Sequence, residues 1–160
     1  MWFYIVLIIL LDGILVYCFP SYFNDINLWY PMLTVSLISL LYNHYPLKKY
    51  YRICFTVGFI YDLLYSNIFL YHALLFLLLG KINSRIYKFL KSNIFIKIVL
   101  VILNIIIYDT IGFLIIKFSY YMDISFIDLI YKIINSLLLN IMLVFVDSFL
   151  FKKRVNVHIV

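Results

Sequence analysis

Residues 98–116 read IVLVILNIIIYDTIGFLII, and Asp109 is the one charge among them. At 1.5 Å rise per residue, a helix of this length spans close to the ~30 Å hydrocarbon core of a bilayer. Apolar side chains occupy every face of that helix, so no stripe is left for water. Lys97 and Lys117 flank the run, where long cationic side chains reach out to the interface. The stretch reads as a transmembrane helix.

The rest of the chain follows the same pattern. Hydrophobic residues make up 67% of the 160 residues and charged residues 12%. A soluble domain is about half apolar and about a quarter charged. A core built from this chain would lack the polar surface to cover it. The expected fold is therefore all-α: one integral membrane domain over residues 1–160, a six-helix bundle. Spans are expected at about 2–19, 28–42, 50–66, 68–88, 98–116 and 126–150. Trp29 and Tyr30 open the second as interfacial aromatics, and Pro31 fits its first turn. Met1–Ile14 has no basic start, and no small-residue cleavage site follows Phe19-Pro20, so the first helix is expected to be retained.

Spans three and four are short enough to be one long tilted helix, which would leave five spans. Charge placement separates the two plans. Lys48, Lys49 and Arg52 follow span two. Lys81, Arg85 and Lys88 lie in the amphipathic end of span four, and Lys91 and Lys97 between it and span five. Lys152, Lys153 and Arg154 follow span six. With six spans these eleven of the thirteen cations share one face; with five they are divided. The positive-inside rule therefore predicts six spans and two cytoplasmic termini. The same placement explains the +6 net charge without nucleic acid. The cations flank helices and touch anionic lipid rather than forming a basic domain.

All seven acidic residues are Asp. A carboxylate inside a span is costly, faces other helices or a cavity, and is a functional candidate by default. Asp12, Asp62, Asp109 and Asp147 qualify, with Asp12 and Asp109 deepest and Asp147 expected to reach interfacial water. Gly13, Gly58 and Gly112 accompany the first three, and small residues let helices approach and share hydrogen bonds. Ser136, Asn140 and Asp147 form a polar stripe on span six. Asp128 and Lys132 are spaced as an i,i+4 pair, with Lys132 reaching outward. These groups are expected to hold helices together rather than to react.

Several chemistries lack their residues. Glutamate-dependent membrane proteases and zincins are excluded by composition. His44, His72 and His158 fall in separate segments, and no two share a metal-ligand spacing. Cys18 and Cys54 are expected near opposite ends of the bundle, too far apart for a disulfide, and so free. No glycine-rich phosphate loop is present. The expectation is no enzyme, no metal and no cofactor.

One segment carries a more specific pattern. Gly58-Phe-Ile-Tyr-Asp62-Leu-Leu-Tyr-Ser66 is followed by Leu70-Tyr71-His72-Ala73-Leu74, and the next helix continues to Gly80. This resembles the MreD family of small multispanning rod shape-determining proteins. Its pattern places Gly four residues before Asp, then a polar turn, then Gly-x-His/Asn-Ala. Length and span plan extend the resemblance over the chain, and about 25 residues carry the specific pattern. Leu70 departs from it, standing where the family usually has Gly. The resemblance implies a non-enzymatic membrane scaffold of the cell-elongation machinery, required for rod shape and lateral peptidoglycan synthesis. It implies MreC as partner, with the MreB filament and the lateral-wall polymerase and transpeptidase reached indirectly. Gly58, Asp62, Ser66, Ala73 and Gly80 are then the family-motif and packing residues. The alternative is the substrate-binding S component of an energy-coupling-factor vitamin transporter, also a small six-helix protein. It would need a polar outer pocket, for which the outer loops offer Asn24, Asp25, Asn27, Asn67 and Asp123. A third reading is a proton-coupled carrier using Asp62 and Asp109.

Overall fold

The computed structural model describes residues 1–18, 31–66, 68–90, 93–120 and 125–151. Among them the chain is all helical: α1 (Trp2–Cys18), α2 (Leu33–Leu41) with a 3₁₀ turn Tyr42–His44, α3 (Leu47–Tyr65), α4 (Tyr71–Phe89), α5 (Ile94–Tyr120) and α6 (Phe126–Leu150). By length and composition, two stretches among the described residues are long and apolar enough to cross a bilayer: Ile94–Ile115 of α5 and Phe126–Leu150 of α6, with mean hydropathy 2.5 and 2.1. α1 is a shorter apolar helix, and α3 and α4 carry cations in their ends.

The segments expected as spans three and four are two helices, not one tilted rod. α3 ends at Tyr65, and the chain turns through Leu70 in the left-handed region (φ 64°) before α4 begins. The two then form the most extensive helix pair of the bundle. Helix α3 also starts earlier than the span expected from about residue 50. Pro46 stands at the N-cap of α3, so Lys48, Lys49 and Arg52 lie within its first two turns.

α2 departs most from the sequence reading. Pro31 precedes the helix instead of opening it, because Met32 adopts a left-handed conformation (φ 39°) and helical geometry starts at Leu33. Residues 28–30, with Trp29 and Tyr30, lie outside the described residues, as do Asn24, Asp25, Asn27, Asn67, Asp123 and the tail from Lys152. All nine residues of α2 are buried, and it packs against α1, α4, α5 and α6. It is the hub of the core, and Leu37, Ile38, Leu40 and Leu41 are among the largest fully buried side chains.

The outside is apolar. Ile134, Leu138, Met142, Phe145 and Phe149 form an exposed face along α6, and Phe3, Leu10 and Ile14 do so on α1. Soluble monomers rarely leave patches of this extent uncovered. Inside, thirteen of the buried side chains among the described residues are polar or charged, Asp12, Asp62, Asp109 and Asp147 among them. The protein thus embeds polar contacts in an apolar core and turns an apolar surface outward.

Candidate functional site

The first turn of a helix leaves backbone N–H groups without intrahelical partners. Away from water these donors need acceptors. Met32 and Leu70, the N-cap residues of α2 and α4, have none to offer. In both cases a carboxylate from the preceding helix supplies them. Asp12 of α1 accepts from the Leu33 and Thr34 backbone N–H groups at 3.0 and 3.1 Å and from the Thr34 hydroxyl at 2.6 Å. Asp62 of α3 accepts from the His72 and Ala73 backbone N–H groups at 3.0 and 3.1 Å. Both negative charges sit at the positive end of a helix dipole. The α1–α2 and α3–α4 connections therefore share one device, a carboxylate capping the next helix through space.

Asp62 also begins a chain of hydrogen bonds. Its Oδ1 lies 2.7 Å from His72 Nδ1, and His72 Nε2 lies 2.9 Å from the Tyr108 hydroxyl. This line joins α3, α4 and α5. Its order, carboxylate then imidazole then hydroxyl, matches that of hydrolytic triads. However, the terminal group is a phenol packed in an aromatic cluster with His72 and Phe76, and Oδ1 is already shared with a backbone donor. The chain fixes the His72 ring and the start of α4.

The remaining motif residues build the seam that makes this geometry possible. A Cβ on Gly58 would fall 2.6 Å from Ala73 Cα, so the two backbones touch only because Gly58 has no side chain. Ala73 is fully buried there. At Gly80 an added Cβ would lie 3.0 Å from Cys54 Sγ. Ser66 accepts from the Ile68 N–H at 3.1 Å and shapes the turn. Gly13 lies under the Tyr65 ring, whose hydroxyl donates to the Ile9 carbonyl at 3.2 Å.

Two ion pairs complete the buried polar network. Asp109 of α5 meets Lys132 of α6 at 3.0 Å. Lys132 therefore turns inward to α5. Its expected partner, Asp128, instead forms a capping box with Ser125 at the start of α6. The inward turn follows from Asp109, a fully buried carboxylate that needs a counter-charge. Asp147 is likewise corrected: it is fully buried rather than solvated. Lys97 of α5 lies 3.0 Å away and His44 3.3 Å away. Asn140 ties α6 to the entry of α2, donating to the carbonyls of Pro31 and Ser136, each at 2.7 Å, and accepting from the Ser36 hydroxyl.

Sequence reading placed His72 in the motif and had Lys97 reaching out to the interface; it did not foresee their contacts with Asp62 and Asp147, nor those of Tyr108 and His44. For His72 the signal was its place in the motif ten residues after Asp62; for Lys97, its place at the edge of the apolar run 98–116. Asn104, in the stretch that decides the fold class, is fully buried with neither amide atom hydrogen-bonded to the described residues. Cys18 is free and exposed, Cys54 free and buried. Among the described residues no group of three metal-ligating side chains converges. No family model, curated protein or solved structure matches this chain.

Proposed function

We propose that this protein is a non-enzymatic, six-span scaffold of a bacterial cytoplasmic membrane, with both termini cytoplasmic. It serves cell elongation and lateral peptidoglycan synthesis by binding MreC, and through MreC it reaches the MreB filament and the wall polymerase and transpeptidase. The observation that carries the scaffold reading is how the buried carboxylates are spent. Asp12 and Asp62 each hold the first turn of a neighbouring helix, and Asp109 and Asp147 each hold a cation of another element. Groups held by fixed partners on other elements define a shape; a carrier relay must exchange partners as protons move. The apolar exterior suits lipid contact, and α6 offers an extended face to another membrane helix. The Gly58–Asp62 and His72–Ala73 pattern supplies the family assignment.

Depletion in a rod-shaped host should round the cells, and the tagged protein should co-purify with MreC from gentle detergent. Normal rods together with no MreC in the eluate would overturn the reading. A tightly held vitamin-sized ligand in native mass spectrometry would instead favour the transporter S component.

A further inference from the structure

The first turns of α3 carry Lys48, Lys49 and Arg52. Lys48 and Arg52 are four residues apart and Lys49 and Arg52 three, so all three share one helical face. Like charges at these spacings repel, and cations at a helix N-terminus also oppose the helix dipole. Among the described residues no carboxylate pairs with any of the three. Asp12, Asp62, Asp109, Asp128 and Asp147 are each engaged elsewhere. Lys49 does lean over the Tyr45 ring, 5.2 Å from its centre. The three exposed side chains concentrate positive charge on one face.

The same face lines an open groove of about 660 Å³. Leu47, Ile53 and Trp2 of α1 form its apolar wall, and Lys48, Lys49 and Arg52 its charged rim. That volume suits a ligand of small-molecule size. The rim calls for an anion; the wall calls for hydrocarbon; and both are met by one amphiphile. Trp2 is half exposed at the start of an apolar helix, the position of an interfacial aromatic. We infer that this groove is a binding site for an anionic phospholipid, whose phosphate is held by Lys48, Lys49 and Arg52 while its upper acyl chain lies against Trp2, Leu47 and Ile53. The inference rests on the membrane placement proposed above, with this end of the bundle at the cytoplasmic interface.

The test uses the full-length protein, extracted in mild detergent and offered phosphatidylglycerol or phosphatidylethanolamine before native mass spectrometry. Retained phosphatidylglycerol adducts are expected, and they should be lost in the triple variant Lys48→Gln, Lys49→Gln, Arg52→Gln. They should persist in Lys81→Gln, Arg85→Gln, Lys88→Gln, which removes as many cations from α4. The charge-conserving pair Lys48→Arg, Lys49→Arg should keep them and controls for misfolding. Equal loss from both triple variants, equal retention of the two lipids, or full displacement by inorganic phosphate alone would each overturn the site. A protein that resists carbonate extraction from membranes yet retains no phosphatidylglycerol loses this inference and keeps the membrane reading. Release by carbonate would sink the membrane reading itself.

Discussion

Asp62 serves the His72 side chain and the first turn of α4 at once, so its replacements separate charge from hydrogen bonding. Asp62→Asn keeps one acceptor oxygen in place. Asp62→Leu strands two backbone donors and an imidazole, and each buried donor without a partner costs about 1–3 kcal/mol. Thermal unfolding in detergent should therefore show a small loss for Asp62→Asn and a much larger one for Asp62→Leu. Equal losses would mean that the charge itself is what matters, as in a titrating relay. Leu70 yields the opposite sign. A branched residue at φ 64° is strained by about 1–2 kcal/mol, and the resemblance places Gly there. Leu70→Gly should raise stability, with a net gain of up to about 1 kcal/mol once glycine's unfolded-state freedom is subtracted. A lower midpoint than the parent protein would show that Leu70 packing outweighs the strain. The departure from the pattern at Leu70 is thus a cost of backbone geometry, and the turn forms despite it.

Helix pairs in this bundle are joined in two ways, and they respond differently to substitution. The α3–α4 seam depends on contact between backbones. Gly58→Ala would drive a methyl to within 2.6 Å of Ala73 Cα, and neither backbone can yield without unseating Asp62 from α4. Overpacking of this kind costs about 1–3 kcal/mol. Gly112 lies on the looser α5 surface, where an added Cβ meets only the Tyr71 hydroxyl at 3.8 Å. Gly112→Ala should be neutral or stabilising by up to about 1 kcal/mol, from helix propensity alone. Opposite signs in the same thermal assay are expected; matching losses would mean that the two seams are equally tight. The α5–α6 pair is joined instead by charge, Asp109 with Lys132. Sequence spacing suggested Asp128 for Lys132, since an i,i+4 neighbour is visible in one dimension. A partner on the next helix depends on how α5 is rotated about its axis, and a helix apolar on every face carries no periodicity to fix that rotation.

At the scale of the whole molecule, the helix class and the separation of α3 from α4 were legible, because long apolar runs and charge placement depend on sequence alone. The entry of α2 was not, because Met32 and Leu33 signal nothing until Asp12 is brought to them from twenty-one residues away. The burial of Asp147 was hidden for the same reason: Lys97 and His44 belong to other elements. The resulting contacts bear on orientation. Tyr4 meets Phe151, Asn43 meets Tyr87, and Lys97 meets Asp147. The start of α1, the end of α2, the end of α4, the start of α5 and the end of α6 therefore gather at one end of the bundle. Lys48, Lys49, Arg52 and Lys88 lie toward that end, as a positive-inside arrangement requires. The distribution is what six alternating spans produce; a fused third and fourth span would put the start of α3 opposite the start of α5. Reporter fusions decide the matter. Alkaline phosphatase joined after residue 45, 90 or 151 should be inactive and green fluorescent protein at the same points fluorescent, while phosphatase joined after residue 67 or 122 should be active. Phosphatase activity at residue 45 with none at residue 90 would overturn the six-span plan, because it would place the cations of α3 across the membrane from those of α4.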